Sequence, residues 1–483
     1  MNRSYKFILV IIFALAIYLR IDAYLINNSF FTDEILLAQN IFERNYLGLF
    51  LPLNYFQSAP YLFLALSKFV SNFGINELCF RFIPFLSSLI SVYLFYLLSK
   101  EIFQTRLARA AALFTFGISY QLLFYAQVFK QYSSDVCISI LILLISSKVL
   151  KKELSLKQWL GLGVVWAFCV LFSYPAYITI AAFYLTVCIC CKCKDKILLS
   201  LVPAGLCTLA YGVLNLGKTH SSAYLSEYWK KGFEIFSIEI YKINFDFLFQ
   251  YYSFPLLLLF LLIAGFCYLY KRNRFCFVQI FSVFTLTLLA AYLKLYPFER
   301  RLALFLLPFL IIVSIYPLDN LKKEWKSFVC VLISVLFFAG GYFNFVKEFT
   351  SGNVSYLRQD VKPLLAIVTM KSDEAPLYLY YGSLTAYSYY SRIYNLPEAI
   401  AGTYPDNEKF SEKYLLTDLE NLKRGTYYLL FVKGTWTYDK DINTFKEWVD
   451  KNSVLLDEYN LKSAYLAKIS VKQKSCIYII IGL

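Results

Sequence analysis

The chain has 483 residues, of which 59% are hydrophobic and only 16% are charged, and its mean hydropathy is +0.55. A soluble globular protein cannot bury so large an apolar fraction, so the composition predicts a polytopic α-helical membrane protein. In a soluble protein the formal net charge of +15 would suggest a nucleic-acid partner. Here much of the charge lies in short loops between apolar segments, where it indicates membrane topology, and no nucleic-acid partner is expected.

Hydropathy predicts about eleven transmembrane helices of the length that a bilayer requires. Clusters of Lys and Arg occur in alternate connections, from Arg3 and Lys6 to Lys322 and Lys323. By the positive-inside rule these connections and the amino terminus are cytoplasmic, so the chain after the last span lies outside. The spans are predicted at roughly 5–25, 81–99, 107–124, 132–149, 158–174, 176–191, 197–216, 251–270, 275–293, 302–318 and 327–345.

This topology predicts two domains, a membrane domain over residues 1–345 and an extracytoplasmic domain over residues 346–483. The first outer loop is long, at roughly 26–80, and longer than a simple connection needs to be. Its amphipathic patterns predict two helices that lie on the membrane surface, at about 33–44 and 60–70.

The outer domain is predicted to be a small layered α/β domain, because strand and helix patterns alternate along it. No G-x-G-x-x-G or P-loop motif is present, which argues against a nucleotide-sugar or ATP site. The strands are predicted at 376–381 and 426–432, and the helices near 384–392, 413–423 and 442–451.

An adjacent acidic pair, Asp33 and Glu34, follows the first predicted span on the outer side. Ionised side chains beside a bilayer are costly unless they have a function. A structural interpretation is a helix N-cap, with Thr32 or Asp33 as the cap and Glu34 complementing the helix dipole. Only half of a capping box is then present, because Ile35 stands where the box requires Glu or Gln. Capping and catalysis are compatible roles for this pair.

Five motifs follow one another in a fixed order along the chain. Thr32-Asp33-Glu34 begins one surface helix, and Gln57-Ser58-Ala59-Pro60 precedes the other. The segments 77–84, 125–132 and 296–301 follow, each rich in aromatic residues and containing Arg or Lys. Together these motifs resemble the GT-C fold glycosyltransferases, more narrowly the bacterial branch of the protein O-mannosyltransferase and lipid A aminoarabinose transferase superfamily. The resemblance covers the first 150 residues well and the remainder mainly as architecture.

The resemblance implies transfer of a sugar from a polyprenyl-phosphate donor to an acceptor outside the membrane, with inversion at the anomeric carbon and without a cofactor. Asp33 matches the catalytic Asp of the family and is expected to be the general base. Glu34 diverges from it by about 100° on a helix and is expected to orient the acceptor or a basic partner. Cations must stabilise the departing phosphate. The candidates, which alternatively reach lipid headgroups, are Arg81, Lys130, Arg300 and Arg301.

Three further residues are candidate substrate contacts: Gln57, Tyr132 and Asp135. Asp135 lies just inside the fourth predicted span, where a carboxylate needs a partner. An ion pair with Lys130 is its structural alternative. The aminoarabinose transferases carry a Lys before two prolines where this chain has Ser58-Ala59-Pro60, so a different sugar is expected.

Two other functions use related substrates: an enzyme similar to O-antigen ligases or polymerases, and a transporter or flippase for a lipid-linked saccharide. The acidic pair after the first span argues against the ligase. The predicted spans contain few polar residues and the sequence shows no internal repeat, and both observations argue against the transporter. A divalent metal is not favoured, because Asp33 and Glu34 are adjacent rather than spaced, and His220 as the single histidine excludes paired His ligands.

The predicted location is the bacterial inner membrane. The predicted partners are the lipid-linked donor, membrane lipids and a lipid, glycan or protein acceptor. The outer domain is expected to cover the site rather than to contain it, because its acids lie in polar stretches typical of a solvated surface. These acids include Asp360, Asp373, Glu374 and Asp406.

Overall fold

A computed structural model describes residues 3–149, 154–190, 197–215, 227–249, 255–319, 359–371, 375–394, 396–397, 399–406, 410–433, 438–461 and 463–472. The chain divides into two compact units. The membrane unit comprises residues 1–27 and 40–347, and the sheet unit comprises residues 28–39 and 348–483. The sheet unit therefore includes part of the first long loop, which the predicted domain of residues 346–483 does not contain.

Helices make up the regular structure that is described in the membrane unit. The helix α2, at Thr32–Glu43, starts in the sheet unit and has its last turn in the membrane unit. The other helices are α1 Arg3–Leu25, α3 Tyr61–Ser71, α4 Glu77–Ile102, α5 Arg106–Ile118, α6 Tyr120–Ala126, α7 Tyr132–Val149, α8 Leu156–Phe172, α9 Ala176–Cys190, α10 Ile197–Asn215, α11 Ile238–Leu248, α12 Pro255–Arg272, α13 Arg274–Tyr292 and α14 Leu307–Asp319. Short 3₁₀ helices lie at Gly48–Phe50, Lys230–Phe233 and Arg300–Leu306.

Each span predicted between residues 5 and 318 coincides with a helix or with two consecutive helices. Within the described residues, five helical segments are long and apolar enough to cross a membrane. The number is six if α5 and α6, which are bent by 49° relative to each other, form one span. Others are apolar but shorter, such as α9 with 15 residues. The span predicted at 327–345 lies outside the described residues, so the total of eleven stays a prediction.

Capping side chains fix several helix starts. Asn76 accepts a hydrogen bond from the backbone N–H of Cys79 at the start of α4. Ser155 and Gln158 form a complete capping box at the start of α8. Such caps satisfy backbone N–H groups that have no partner within the helix. The two predicted surface helices are confirmed as helices by α2 and α3, which begin within one residue of the predicted positions.

A buried arginine links three helices of the membrane unit. Arg20 is fully buried and donates hydrogen bonds to Ser88 Oγ on α4 (2.8 Å) and to the carbonyl oxygens of Ala16 (2.9 Å) and Gly117 (2.8 Å). Gly117 permits this close approach, because a Cβ there would lie 2.9 Å from the Cβ of Ala16. A buried charged side chain needs polar partners, and three are present here, although Nη2 has none among the described residues.

The sheet unit contains a five-stranded mixed sheet with the strand order β2-β1-β3-β5-β4. The strand β1 pairs in parallel with β2 and β3, whereas β5 is antiparallel to both β3 and β4. Aromatic side chains from the strands and from the helices form its core. The elements are α15 Val361–Lys371, β1 Leu377–Leu379, α16 Leu384–Tyr390, β2 Ala399–Ala401, α17 Ser411–Glu420, β3 Gly425–Val432, α18 Tyr438–Asn452, β4 Ser453–Leu461 and β5 Ala464–Val471.

The predicted α/β class of this unit is confirmed. The strands β1 and β3 and the helices α16, α17 and α18 overlap the predicted positions. The strands β2, β4 and β5 were not predicted. Exposed apolar residues in β4, Val454, Leu455 and Leu456, interrupt the alternation that identifies a half-buried strand.

Candidate active site

The acidic pair lies in the first turn of α2, within the sheet unit. The backbone N–H groups of Glu34 and Ile35 both donate to the carbonyl oxygen of Phe31, so Phe31 is the residue before the helix. The carboxylate of Glu34 accepts a hydrogen bond from the backbone N–H of Phe31 at 3.3 Å. This is the acidic half of a capping box, formed one residue earlier in the chain than the sequence pattern suggests.

Burial separates the two carboxylates. Glu34 is fully buried, whereas Asp33 is only half-buried. The difference follows from the helical geometry, because neighbouring side chains point about 100° apart. Asp33 is therefore the more accessible member of the pair, and Glu34 stabilises the start of the helix that carries it.

A second group of candidate residues lies in the membrane unit, where a loop joins α6 to α7. Lys130 is 5% exposed, and its ammonium donates a hydrogen bond to Gln57 Oε1 at 2.5 Å. The next residue, Gln131, donates to the carbonyl oxygen of Ser58 at 3.5 Å. The segment 57–58 and the segment 130–131 are thus joined, although 73 residues separate them in the chain.

Arg301 comes to the same segment from a distant part of the chain. Its guanidinium carbon lies 5.9 Å from the ring centre of Tyr132 and 5.5 Å from that of Trp229. Cation–π contacts of this kind hold the planar guanidinium in one orientation. Lys130 directly precedes the start of α7, and Arg301 contacts the first residue of this helix, Tyr132.

An asparagine fixes the backbone that leads to Arg301. The Asn244 side chain donates to the carbonyl oxygen of Phe298 at 2.9 Å and accepts from the N–H of Arg300 at 2.7 Å. Arg300 itself has a φ of 43°, in the left-handed region that non-glycine residues rarely adopt. Two hydrogen bonds from one buried amide stabilise this strained turn.

Two titratable groups in the same turn have shifted pKa values. Burial raises the pKa of Glu299, although the positive charges of Arg300, Arg301 and Lys231 oppose the shift. Burial also raises the pKa of Tyr296 well above its ordinary value, and the neighbouring Asp135 and Tyr132 add to the rise. Tyr296 therefore remains a neutral phenol at physiological pH.

The remaining predicted residues are placed as follows. Asp135 is buried in the first turn of α7, and its Oδ1 has no hydrogen-bond partner among the described residues. Arg81 is buried in α4 beside Tyr24. Arg300 is exposed, in contrast to Arg301. The structure thus brings together Gln57, Lys130, Tyr132, Asp135 and Arg301.

Three residues beside this site were not among the predicted site residues: Trp229, Asn244 and Tyr296, of which only Tyr296 lies in one of the motifs. Trp229 lies in a polar, aromatic loop that has no pattern to indicate a partner for Arg301. Asn244 lies on α11 together with Glu239, Lys242 and Asp246, so its polarity alone does not distinguish it. Among the described residues, no group of three or more His, Cys, Asp or Glu side chains could hold a metal ion.

Comparisons with known proteins agree with this architecture. Residues 57–213 match the family model for dolichyl-phosphate-mannose-protein mannosyltransferases. No curated protein sequence matches the chain. ArnT from Cupriavidus metallidurans in the apo state has a TM-score of 0.58 at 11% identity, over 95% of this chain and 97% of that one.

Two ligand-bound structures show the same similarity. ArnT bound to undecaprenyl phosphate has a TM-score of 0.57 at 11% identity, over 95% of this chain and 97% of that one. The oligosaccharyltransferase AglB from Archaeoglobus fulgidus, in complex with an inhibitory peptide and a dolichol-phosphate, has a TM-score of 0.51 at 13% identity. That match covers 98% of this chain and 74% of the other. The chain is therefore a membrane protein with the GT-C glycosyltransferase fold.

Proposed function

We propose that the chain is a glycosyltransferase that moves a sugar from a polyprenyl-phosphate donor to an acceptor hydroxyl. The observation that carries the proposal is the convergence of Lys130 and Arg301 on the start of α7. Ammonium and guanidinium groups held in this way are suited to a phosphate. Undecaprenyl phosphate bound to ArnT and dolichol-phosphate bound to AglB support a polyprenyl phosphate as the lipid.

In the proposed reaction Asp33 removes the proton from the acceptor hydroxyl as the oxygen attacks the anomeric carbon of the donor. The bond between that carbon and the phosphate oxygen breaks, and its electron pair stays on the phosphate. Lys130 and Arg301 stabilise the charge that develops there. The direct displacement inverts the configuration at the anomeric carbon.

The other residues have supporting roles in this proposal. Gln57 holds the ammonium of Lys130, and Tyr132 holds the guanidinium of Arg301. Asp135 lies near Tyr132 and Tyr296 and is assigned to the sugar hydroxyls. Arg81 and Arg300 remain candidates for the phosphate. Glu34 fixes the start of α2 rather than acting on the acceptor.

The proposed reaction takes place on the extracytoplasmic face of the bacterial inner membrane. Its acceptor is a lipid, a glycan or a protein. The sequence left two alternatives open, an O-antigen ligase or polymerase and a lipid-linked saccharide transporter or flippase. No specific contact in the described residues favours either of them.

Mass spectrometry of envelope lipids and glycans from a deletion strain tests the proposal. Restoring the wild-type chain should restore a glycan that the deletion lacks. The Asp33→Asn variant should form about a hundredfold less of this glycan, or still less, because the amide keeps the shape of the side chain but cannot accept the proton.

Asp450→Asn is the matched control, because Asp450 is an exposed acid on α18. It should restore the glycan to the wild-type amount. If Asp33→Asn restored it within a few-fold of the wild type at equal protein amount, Asp33 would not be the base.

A further inference from the structure

The segment that carries Asp33 is held by the sheet unit at both of its ends. At its start, Ser29 Oγ accepts a hydrogen bond from the backbone N–H of Lys362 at 3.1 Å. At its end, the Gln39 side chain donates to Ser388 Oγ at 2.7 Å. Asp33 lies between these two contacts, so the position of its carboxylate depends on residues more than 300 positions later in the chain.

Two aromatic residues of α16 fix the residues that precede α2. The fully buried Tyr390 accepts a hydrogen bond through its phenol oxygen from the backbone N–H of Phe30 at 2.8 Å. The ring of Phe30 packs against Tyr389 with a centroid distance of 5.1 Å. A buried backbone N–H group is costly to leave without a partner, so the tyrosine hydroxyl specifies where the chain turns into the helix.

One glutamine connects the residue before Asp33 to the central sheet. Gln359 is 5% exposed, and its amide nitrogen donates to Thr32 Oγ1 and to the carbonyl oxygen of Lys433, both at 2.9 Å. Lys433 directly follows β3, and its N–H donates to the carbonyl oxygen of Ser463, just before β5. The neighbouring strands β3 and β5 thus support the amide that holds Thr32.

We propose that Gln359 and Tyr390 are positioning residues for the proton acceptor Asp33, and that the sheet unit determines the position of this carboxylate. This inference rests on the proposed function, because it assumes that Asp33 is the base. It revises the expectation that this domain only covers the site. A general base must be held within a fraction of an ångström of its productive position, and rigid elements achieve this better than loops do.

Hydrogen exchange in the purified full-length chain measures the positioning directly. Gln359→Leu and Tyr390→Phe should each increase exchange in the peptide that contains residues 29–36 by about fivefold or more, because each removes a contact to this segment. Tyr390→Phe is the milder change and covers the case in which Gln359→Leu fails to fold. The control is Thr444→Val, which removes a comparable hydroxyl contact to Glu412 elsewhere in the unit and should leave this peptide unchanged.

Glycan formation in the deletion strain, normalised to folded protein, measures the consequence for catalysis. Gln359→Leu, Tyr390→Phe and Thr32→Val should each lower glycan formation about tenfold or more. The double variant Gln359→Leu/Thr32→Val should form as much glycan as either of its single variants, because Gln359→Leu and Thr32→Val remove the same contact. Thr32→Ser keeps the hydroxyl, so glycan formation by this variant should match that of the wild type. Binding of undecaprenyl phosphate to the purified chain should stay within about twofold of wild type in all of these variants, because the candidate phosphate ligands are other residues.

The outcomes separate this proposal from the proposed function. If Asp33→Asn abolishes glycan formation while Gln359→Leu, Tyr390→Phe and Thr32→Val all remain within about twofold of wild type, the positioning role is wrong and the base assignment stands. If Asp33→Asn itself is active, the base assignment and the positioning role are both wrong. Loss of undecaprenyl phosphate binding in Gln359→Leu would also contradict the positioning role, since it would indicate a general structural defect.

Discussion

At the scale of single residues, Asp33 and Glu34 show that two adjacent carboxylates can differ strongly in burial. The sequence identifies the pair, because acids next to a membrane span are rare and a motif surrounds them. It does not say which one is accessible. That depends on where the helix begins, and the structure places the first turn so that Glu34 is buried and Asp33 is half-exposed.

The candidate phosphate site, which contains Lys130 and Arg301, was predictable in part for a similar reason. Lys130, Tyr132 and Gln57 lie in motifs whose order along the chain is informative. Trp229 and Asn244 contribute only through contacts with residues more than 50 positions away. A single sequence contains no signal for such pairing, so these two residues could be found only in three dimensions.

A prediction at this scale concerns Glu299, the carboxylate beside the arginines. At a pH above its raised pKa, Glu299 is ionised and partly neutralises Arg301, which weakens the attraction for a phosphate. As the pH falls below that value, Glu299 becomes neutral and this opposition disappears. Glu299→Gln should therefore bind undecaprenyl phosphate a few-fold more tightly than the wild type at a pH above that pKa, and equally tightly at a pH well below it.

The measurement is the ratio of the two dissociation constants across the pH range, because protonation of the phosphate itself cancels in this ratio. A ratio that does not change with pH would mean that Glu299 does not titrate beside the bound phosphate. A ratio that grows as the pH falls would contradict the assigned sign.

At the scale of elements, helix positions were predictable because apolar runs, caps and cation clusters mark them. Strands were less so. The short strand β2 has three residues, and β4 has an exposed apolar stretch, so neither has the alternation that marks a strand. No sequence signal indicates that residues 28–39 belong to the sheet unit, because the residues that they contact lie more than 300 positions later in the chain.

Two glycines on α8 provide a matched test of helix packing. A Cβ at Gly163 would lie 2.5 Å from the carbonyl oxygen of Ser200 and 2.9 Å from Pro203 Cδ on α10, whereas a Cβ at Gly161 would meet nothing within 4 Å. Gly163→Ala should therefore force α8 and α10 apart and cost about 1–3 kcal/mol. Gly161→Ala should be neutral or slightly stabilising, because alanine favours the helix.

Thermal unfolding of the purified chain in detergent is the measurement for this pair. Gly163→Ala should unfold at a clearly lower temperature than the wild type, and Gly161→Ala should not. Equal midpoints for the two variants would show that α8 and α10 do not pack as closely as described.

At the scale of the whole molecule, the class and fold followed from composition, hydropathy and the order of a few motifs. Membrane sidedness stays a prediction from the cation clusters. Reporter fusions should find residue 155 in the cytoplasm and the carboxyl terminus outside it. Residue 155 lies within the cluster Lys151, Lys152 and Lys157, which the positive-inside rule places in the cytoplasm. A cytoplasmic carboxyl terminus would contradict the predicted orientation and the odd number of spans.

The most direct test of the central claim is to measure sugar transfer and lipid release together. Membranes from a deletion strain, which should accumulate the unused donor, are mixed with purified wild-type chain, and mass spectrometry quantifies both products. The wild type should release one polyprenyl phosphate for each sugar transferred, and Asp33→Asn should release and transfer about a hundredfold less. Transfer by Asp33→Asn at nearly the wild-type rate, or transfer without release of a polyprenyl phosphate, would contradict the account.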